Sequence, residues 1–376
     1  MTITDPKLIQ MLERKEISKE RTISNYEMTF KQVEECLGKT PSELLEIARK
    51  EEEPFVQKQG DNYVAKLLPL DDRSINQWQF KLKKYWLNNG LKKSTINIRM
   101  MGFRTFFREY NITMPKPIKI KTKEKILLEG DIPEIEHIRK VVNYIPNIRN
   151  KFIVSIVSVT GLRGVDIRNL KMKDIVKGCG FDSIHQFMTA DLTDVLCELF
   201  LQPQKTEDEG NPCLTFITPE CLELGRDYLK TRKDLNMESY LLTPNRVEKQ
   251  LSTNAWLKIF RRIDESLFNG DGWFHAHALR AFFINIVNDH TVDDEIRSLL
   301  SGHKPALGII SRSYLKLNTK GAKEVYYDMI PDLTIQETKV RTVSSKEAKQ
   351  LDAQEKRIAE LEALLKNFKK NEVKEI

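Results

Sequence analysis

Apolar residues recur at helical spacing through most of the chain. Ile23, Tyr26, Phe30 and Val33 share one face of a helix that begins after Thr22. Leu44, Leu45 and Ala48 follow Thr40-Pro41-Ser42-Glu43, in which a threonine cap with proline in the first turn marks a helix start. Residues 76–86 predict a third helix. Ser94 is expected to cap a fourth, with Ile96, Met100, Phe103, Phe107 and Tyr110 on one face and Arg104 and Arg108, four apart, on another. Residues 1–115 therefore read as a domain of short helices.

A second stretch of pattern starts near Asp131, where Ile132-Pro133-Glu134 resembles a helix start. Phe152, Ile153, Ile156 and Val157 form the core face of a helix that stops at Gly161. Two β-type runs follow, 195–202 and 212–217, joined by a polar tip at 205–210, which predicts a hairpin. Helices resume from Pro219 to about Ile330. Beyond that, Leu351, Ile358 and Leu365 stand seven apart, with Leu361 and Phe368 at intervening positions and Gln354 at the first of them. This is a seam of two to three heptads, short for a free-standing coiled coil. The expected architecture is mainly α with a small β-hairpin: a helical domain over 1–115, a Lys- and Pro-rich linker over 116–130, an α+β domain over 131–335, and a helical tail over 336–376.

Composition narrows the class. Of 376 residues, 40% are hydrophobic and 31% charged, which fits a globular protein rather than a disordered one. The longest uncharged apolar run, 152–162, falls short of the ~20 residues a membrane-spanning helix needs. With no signal-like N-terminus, a cytoplasmic protein without membrane contact is expected. The five cysteines include no CxxC pair, so buried free thiols are expected rather than a zinc site or disulfide frame.

The net charge of +7 is modest, but its distribution is uneven. Residues 81–125 hold 13 Lys or Arg against two acids, more than the excess of the whole chain. Trp86, Phe103, Phe106, Phe107 and Tyr110 are interleaved with them. A surface that tracks a phosphate backbone fits this stretch, with Lys92, Lys93, Arg99, Arg104 and Arg108 as its candidate contacts. A solvated helix face followed by a basic linker fits it as well.

Three short patterns occur in order in the second domain. They are Thr160-Gly161-Leu162-Arg163-Gly164-Val165-Asp166, then His277-Ala278-Leu279-Arg280, then Leu300-Ser301-Gly302-His303 followed by Tyr314. Each alone is weak, and Arg163 alone reads as a helix-end surface arginine. As an ordered set they resemble the tyrosine recombinase, or integrase, family. The stretch from Gly90 to Ile96 leading to Phe103-Arg104-Thr105-Phe106-Phe107 is similar to that family's core-binding domain, and residues 131–335 resemble its catalytic domain.

The resemblance implies that Arg163, His277, Arg280 and His303 are catalytic, that Tyr314 is the nucleophile, and that Lys205 at the hairpin tip is the catalytic lysine. It further implies double-stranded DNA as partner, four protomers on that DNA, and a covalent 3′-phosphotyrosyl intermediate. Ala281 stands where a histidine often follows the second arginine, and residues 178–192 look like an insertion.

The residue types suit that chemistry. As a nucleophile adds to a phosphodiester, charge grows on the non-bridging oxygens. Two arginines can clamp it and do not lose their protons at neutral pH. Histidine can move a proton near neutrality. A phenol becomes a competent nucleophile when cations lower its pKa. Such a site needs no metal, and no Gly-rich phosphate loop with lysine suggests ATP. The expected activity is a DNA-cutting and rejoining recombinase. The alternative is a DNA-binding protein of the same fold that has lost turnover. Tyr326 and Tyr327 are the rival nucleophiles, Asp166 is expected to orient Arg163, and His275, Trp256, Trp273 and Phe274 are expected to be structural.

Overall fold

The computed structural model describes residues 4–18, 20–59, 62–118, 120–121, 128, 130–204, 211–244, 249–303 and 317–336. Lys205, Tyr314 and the heptad tail lie outside these residues. The chain divides into two compact units, Met1–Ile126 and Leu127–Ile376.

The first unit contains α1 (Pro6–Arg14), α2 (Glu20–Leu37), α3 (Pro41–Lys50), α4 (Ser74–Asn88) and α5 (Lys93–Glu109). Thr40 caps α3 as expected: its side chain accepts from the Glu43 N–H, and the Glu43 carboxylate reaches back to the Thr40 N–H. The cap predicted for α5 moves. The helix begins at Lys93 with Lys92 at the cap position, and Ser94 lies inside the first turn.

The core of this unit is aromatic. Phe30 packs on Phe106 with centroids 5.0 Å apart, and Phe106 on Phe107 at 5.2 Å. Trp86, Phe103, Phe106 and Phe107 are fully buried and Tyr110 nearly so. The aromatics interleaved with the basic residues of 81–125 thus fill the bundle and do not line its surface. They lie on the α4 and α5 stripes that face the other helices, where burial of ring area is worth several kcal/mol.

An antiparallel ribbon, β1 (Phe55–Gln59) and β2 (Asn62–Lys66), stands between α3 and α4, so this unit is not purely helical. All ten strand residues are exposed. With no residue to bury, the ribbon leaves no alternation of apolar and polar positions in the sequence.

The second unit is built around α7 (Ile148–Thr160), buried on every side from Phe152 to Thr160. An apolar helix can persist all round only when enclosed. It is packed by α6 (Ile135–Tyr144), α11 (Pro219–Lys230), α13 (Ala276–His290) and the strand β4 (Cys213–Ile217). β4 pairs antiparallel with β3 (Cys197–Leu201), Cys197 opposite Ile217 and Leu201 opposite Cys213, so the expected hairpin is present.

Short helices α8 (Gly164–Asn169), α9 (Met172–Gly178) and α10 (Ile184–Thr189) link α7 to β3, the last within the expected insertion. After α12 (Thr253–Leu267) come α13, α14 (Asp294–Ser301) and α15 (Thr319–Leu333). Past α15 the chain is gripped at both backbone groups. Glu220 accepts from the Ile335 and Gln336 N–H groups at 2.9 and 2.8 Å, and Arg139 Nε donates to the Ile335 carbonyl at 2.7 Å. Cys197, Cys213 and Cys221 are buried free thiols, and Cys36 and Cys179 are partly so. Among the described residues no helix is long and apolar enough to cross a membrane.

Candidate active site

Two helices of the second unit end in the same way, and their ends meet. α7 terminates at Gly161 with φ +58°, and α14 at Gly302 with φ +60°. Both are left-handed caps that favour glycine. Space reinforces the requirement. A Cβ on Gly161 would lie 2.1 Å from the Phe283 ring, and one on Gly302 would press on Cys213 at 3.1 Å.

These turns leave carbonyl groups without helical partners, and the arginines take them. Arg280 on α13 donates to the Gly161 carbonyl, to the Ser301 carbonyl at 2.6 Å, and to His303 Nε2 at 3.1 Å. Arg163, which caps α8, donates to the Gly302 carbonyl at 3.2 Å. The fold therefore brings Arg163 to Arg280 and His303, which lie more than a hundred residues further along the chain. His277 is exposed in the first turn of α13, one turn from Arg280, where the helix dipole is positive.

Neutral carbonyls hold the two arginines in place without cancelling their charge. Among the described residues one carboxylate is present. Asp166, on α8, is buried and accepts from the Gln204 backbone N–H at 3.0 Å, while its Oδ2 has no hydrogen-bond partner among the described residues. Burial pushes its carboxyl above the usual range, opposed by the Gln204 N–H and by the charges of Arg163 and Arg280. Sequence reading linked Asp166 only to Arg163. Its hydrogen bond anchors the last described residue before the hairpin tip, a link no local pattern signals.

Arg280 is 4% exposed. Burial first, and then the charge of Arg163, bring its pKa down to about 10. That is still well above neutrality, so the guanidinium stays charged. An anion arriving between two such groups would be drawn by charge and by preoriented donors. Among the described residues no three His, Cys, Asp or Glu side chains group closely enough to hold a metal ion.

Tyr314 and Lys205 lie outside the described residues, whereas the rival tyrosines lie within them. Tyr326 is fully buried, and its hydroxyl lies 2.7 Å from the Val159 carbonyl and 2.9 Å from that of Phe216. Burial raises its phenol well above the ordinary value, and that of Tyr327 to a lesser degree, which opposes the phenolate a nucleophile needs. His275 caps α13, its Nδ1 2.9 Å from the Trp273 carbonyl. Trp256 and Phe274 are core residues, and Trp273 is half-buried.

The basic candidates of the first unit divide. Lys92 and Lys93 at the start of α5 and Arg108 near its end are exposed. Arg99 is half-buried and donates to Gln32. Arg104 does not belong to a surface. It is 5% exposed and donates to Gln79 Oε1 at 2.5 Å and to the Pro115 carbonyl at 2.8 Å. The chain leaving α5 folds back over this side chain and converts it into a buried tie.

The phage integrase family model matches residues 131–320, just over half of the chain. No curated protein matches it in sequence. Among solved structures, the chain is similar to the Tn1549 transposon integrase in complex with transposon right end DNA, at 12% identity and TM-score 0.52, covering 84% of this chain and 96% of that one. It is also similar to XerA recombinase, at 16% identity and TM-score 0.35, covering 86% and 97%. A lambda integrase tetramer bound to a Holliday junction gives 16% and 0.45, covering 79% and 76%. The first of these shares the fold, and the other two superpose too loosely to carry an argument.

Proposed function

Because the chain belongs to the phage integrase family, we propose that it is a site-specific DNA recombinase that cuts and rejoins double-stranded DNA through a tyrosine. The observation that carries this reading is the convergence of Arg163, Arg280 and His303 on the ends of α7 and α14. Two fixed guanidiniums, beside one buried carboxylate among the described residues, suit a phosphodiester whose charge grows during attack.

In this reading the scissile phosphate lies against Arg163 and Arg280. Tyr314 Oη attacks phosphorus, the bond to the 5′ oxygen breaks, and a 3′-phosphotyrosyl ester forms. The tyrosine proton leaves through His277 or His303, and the departing 5′ oxygen takes one from Lys205. The reverse sequence, with a 5′ hydroxyl from a second duplex, rejoins the strands. The two arginines supply the positive charge that a metal brings in other phosphoryl-transfer sites. Exchange between two duplexes calls for four copies of the chain on DNA.

The test is covalent capture on a random-sequence duplex pool under denaturing conditions, in EDTA, with the modified tryptic peptide mapped. The wild-type chain is expected to form an adduct at Tyr314. Tyr314→Phe should keep its fold and DNA affinity and form none. Arg163→Ala should cut adduct formation by ~10²-fold or more. An adduct on Tyr326 or Tyr327 would overturn the nucleophile. DNA binding with no adduct at any sequence would make the protein a DNA binder without turnover.

A further inference from the structure

The β1–β2 ribbon contributes no side chain to the core it rises from. An isolated two-stranded hairpin is marginal in water, and this one buries none of its ten residues. Phe55, Val56, Tyr63 and Val64 are strand-forming types, but none of them is buried, so their packing contributes little to holding the ribbon.

Its register sorts the side chains. Residues directly opposite in an antiparallel pair share a face, as do alternate residues along each strand. The pairs Phe55 with Lys66, Gln57 with Val64 and Gln59 with Asn62 therefore lie on one side, and Val56 with Ala65 and Lys58 with Tyr63 on the other. The first side gathers three carboxamides, Gln57, Gln59 and Asn62, at the far end of the ribbon, with Lys66 at its foot.

The strands contain two lysines and no acid. Of the three acids at the foot, Glu51, Glu52 and the exposed Glu53, two are engaged elsewhere. Glu52 pairs with Arg73 at 2.7 Å, and Glu51 accepts from Ser74.

We propose that this ribbon enters the DNA major groove and reads base edges through Gln57, Gln59 and Asn62. A two-stranded ribbon fits that groove, about 12 Å wide. Asn and Gln carboxamides match adenine there, accepting from N6 and donating to N7. Four residues of strand separate Lys66 from Asn62, about 13 Å, so an Asn62 at the base edges leaves Lys66 level with the phosphates of the rim. Tyr63, 72% exposed on the other face, and Val56 offer apolar surface of the kind that meets thymine methyl groups. The positive strands favour DNA over a second copy of the chain, which would bring like charge toward Lys66 on one face or Lys58 on the other.

The inference rests on the reading of the protein as a DNA recombinase, and its test separates the two. Duplexes selected by the full-length protein from a random pool would be sequenced for the wild type, for Gln57→Ala/Gln59→Ala/Asn62→Ala, and for Val56→Ser/Tyr63→Ser. The wild type is expected to select a two- or three-base-pair block containing adenine. The triple variant should lose that preference by about 5- to 150-fold per base while still forming the covalent adduct. These side chains are exposed, so the variant should fold, which a melting curve checks.

An unchanged profile in the triple variant, with DNA bound and cut, overturns the ribbon's role alone. A Val56→Ser/Tyr63→Ser chain that loses self-association with no change in selected sequence assigns the ribbon to a protein contact and overturns it too. Failure of the wild type to bind any duplex overturns the recombinase reading and the ribbon with it.

Discussion

A few side chains and two glycines determine what the candidate site can do. The carbonyls that hold Arg163 and Arg280 exist because α7 and α14 stop at left-handed turns. The two glycines differ in how tightly they are enclosed. A methyl group on Gly161 would overlap the Phe283 ring, so Gly161→Ala is expected to destabilise the protein by several kcal/mol. On Gly302 it would meet Cys213 at a distance that a small shift relieves, leaving the strain of the positive φ, about 1–2 kcal/mol. That shift moves the carbonyl bonded to Arg163. Gly302→Ala should therefore melt only a few degrees below wild type yet form covalent adduct at least tenfold more slowly. Equal losses of stability and rate would show that Gly302 serves the fold alone.

At the level of elements, α15 ties the far end of the second unit to its centre. Its fully buried Tyr326 hydroxyl reaches the carbonyls of Val159 on α7 and Phe216 on β4. Tyr326→Phe leaves those carbonyls without this donor and is expected to lower stability by about 1–2 kcal/mol in urea unfolding. The adduct on Tyr314 should form at the wild-type level. A variant that folds normally but makes no adduct would return Tyr326 to the chemistry.

Across the whole molecule, charge is the property that matters for a polyanionic partner. The basic stretch 81–125 does not act as one surface, because its members have different surroundings. Lys92, Lys93 and Arg108 are exposed, and their joint replacement by Ala should flatten the salt dependence of DNA binding by up to about three units, leaving stability within ~0.5 kcal/mol. Arg104→Ala should leave that slope alone. It removes a buried guanidinium bonded to Gln79 and Pro115 and should cost about 3 kcal/mol in stability. A flattened slope in Arg104→Ala, with stability intact, would restore it to the DNA face.

What the sequence determined by itself is local. The period of apolar residues sets the face of α5, the apolar run 152–162 marks α7, the Thr40-Pro41 pair starts α3, and two β-type runs about a polar tip make the β3–β4 hairpin. The order of Arg163, the His277 and Arg280 pair, and His303 identified the family before any contact was known, because residue type and spacing belong to the chain itself.

Contacts between distant segments decided the rest. Arg104 and Arg108 sit one turn apart on the same helix, yet only the returning Pro115 and the Gln79 side chain of α4 cover one of them. The position of Tyr314 after Gly302-His303 favours it in sequence over Tyr326, and the enclosure of Tyr326 between α7 and β4 adds a physical reason against that rival. The β1–β2 ribbon escaped notice because periodicity records burial, and a ribbon that buries nothing leaves none to read. The joining of two arginines over two glycine-ended helices was also beyond a linear reading, since the carbonyls they use belong to turns that meet only in the folded protein.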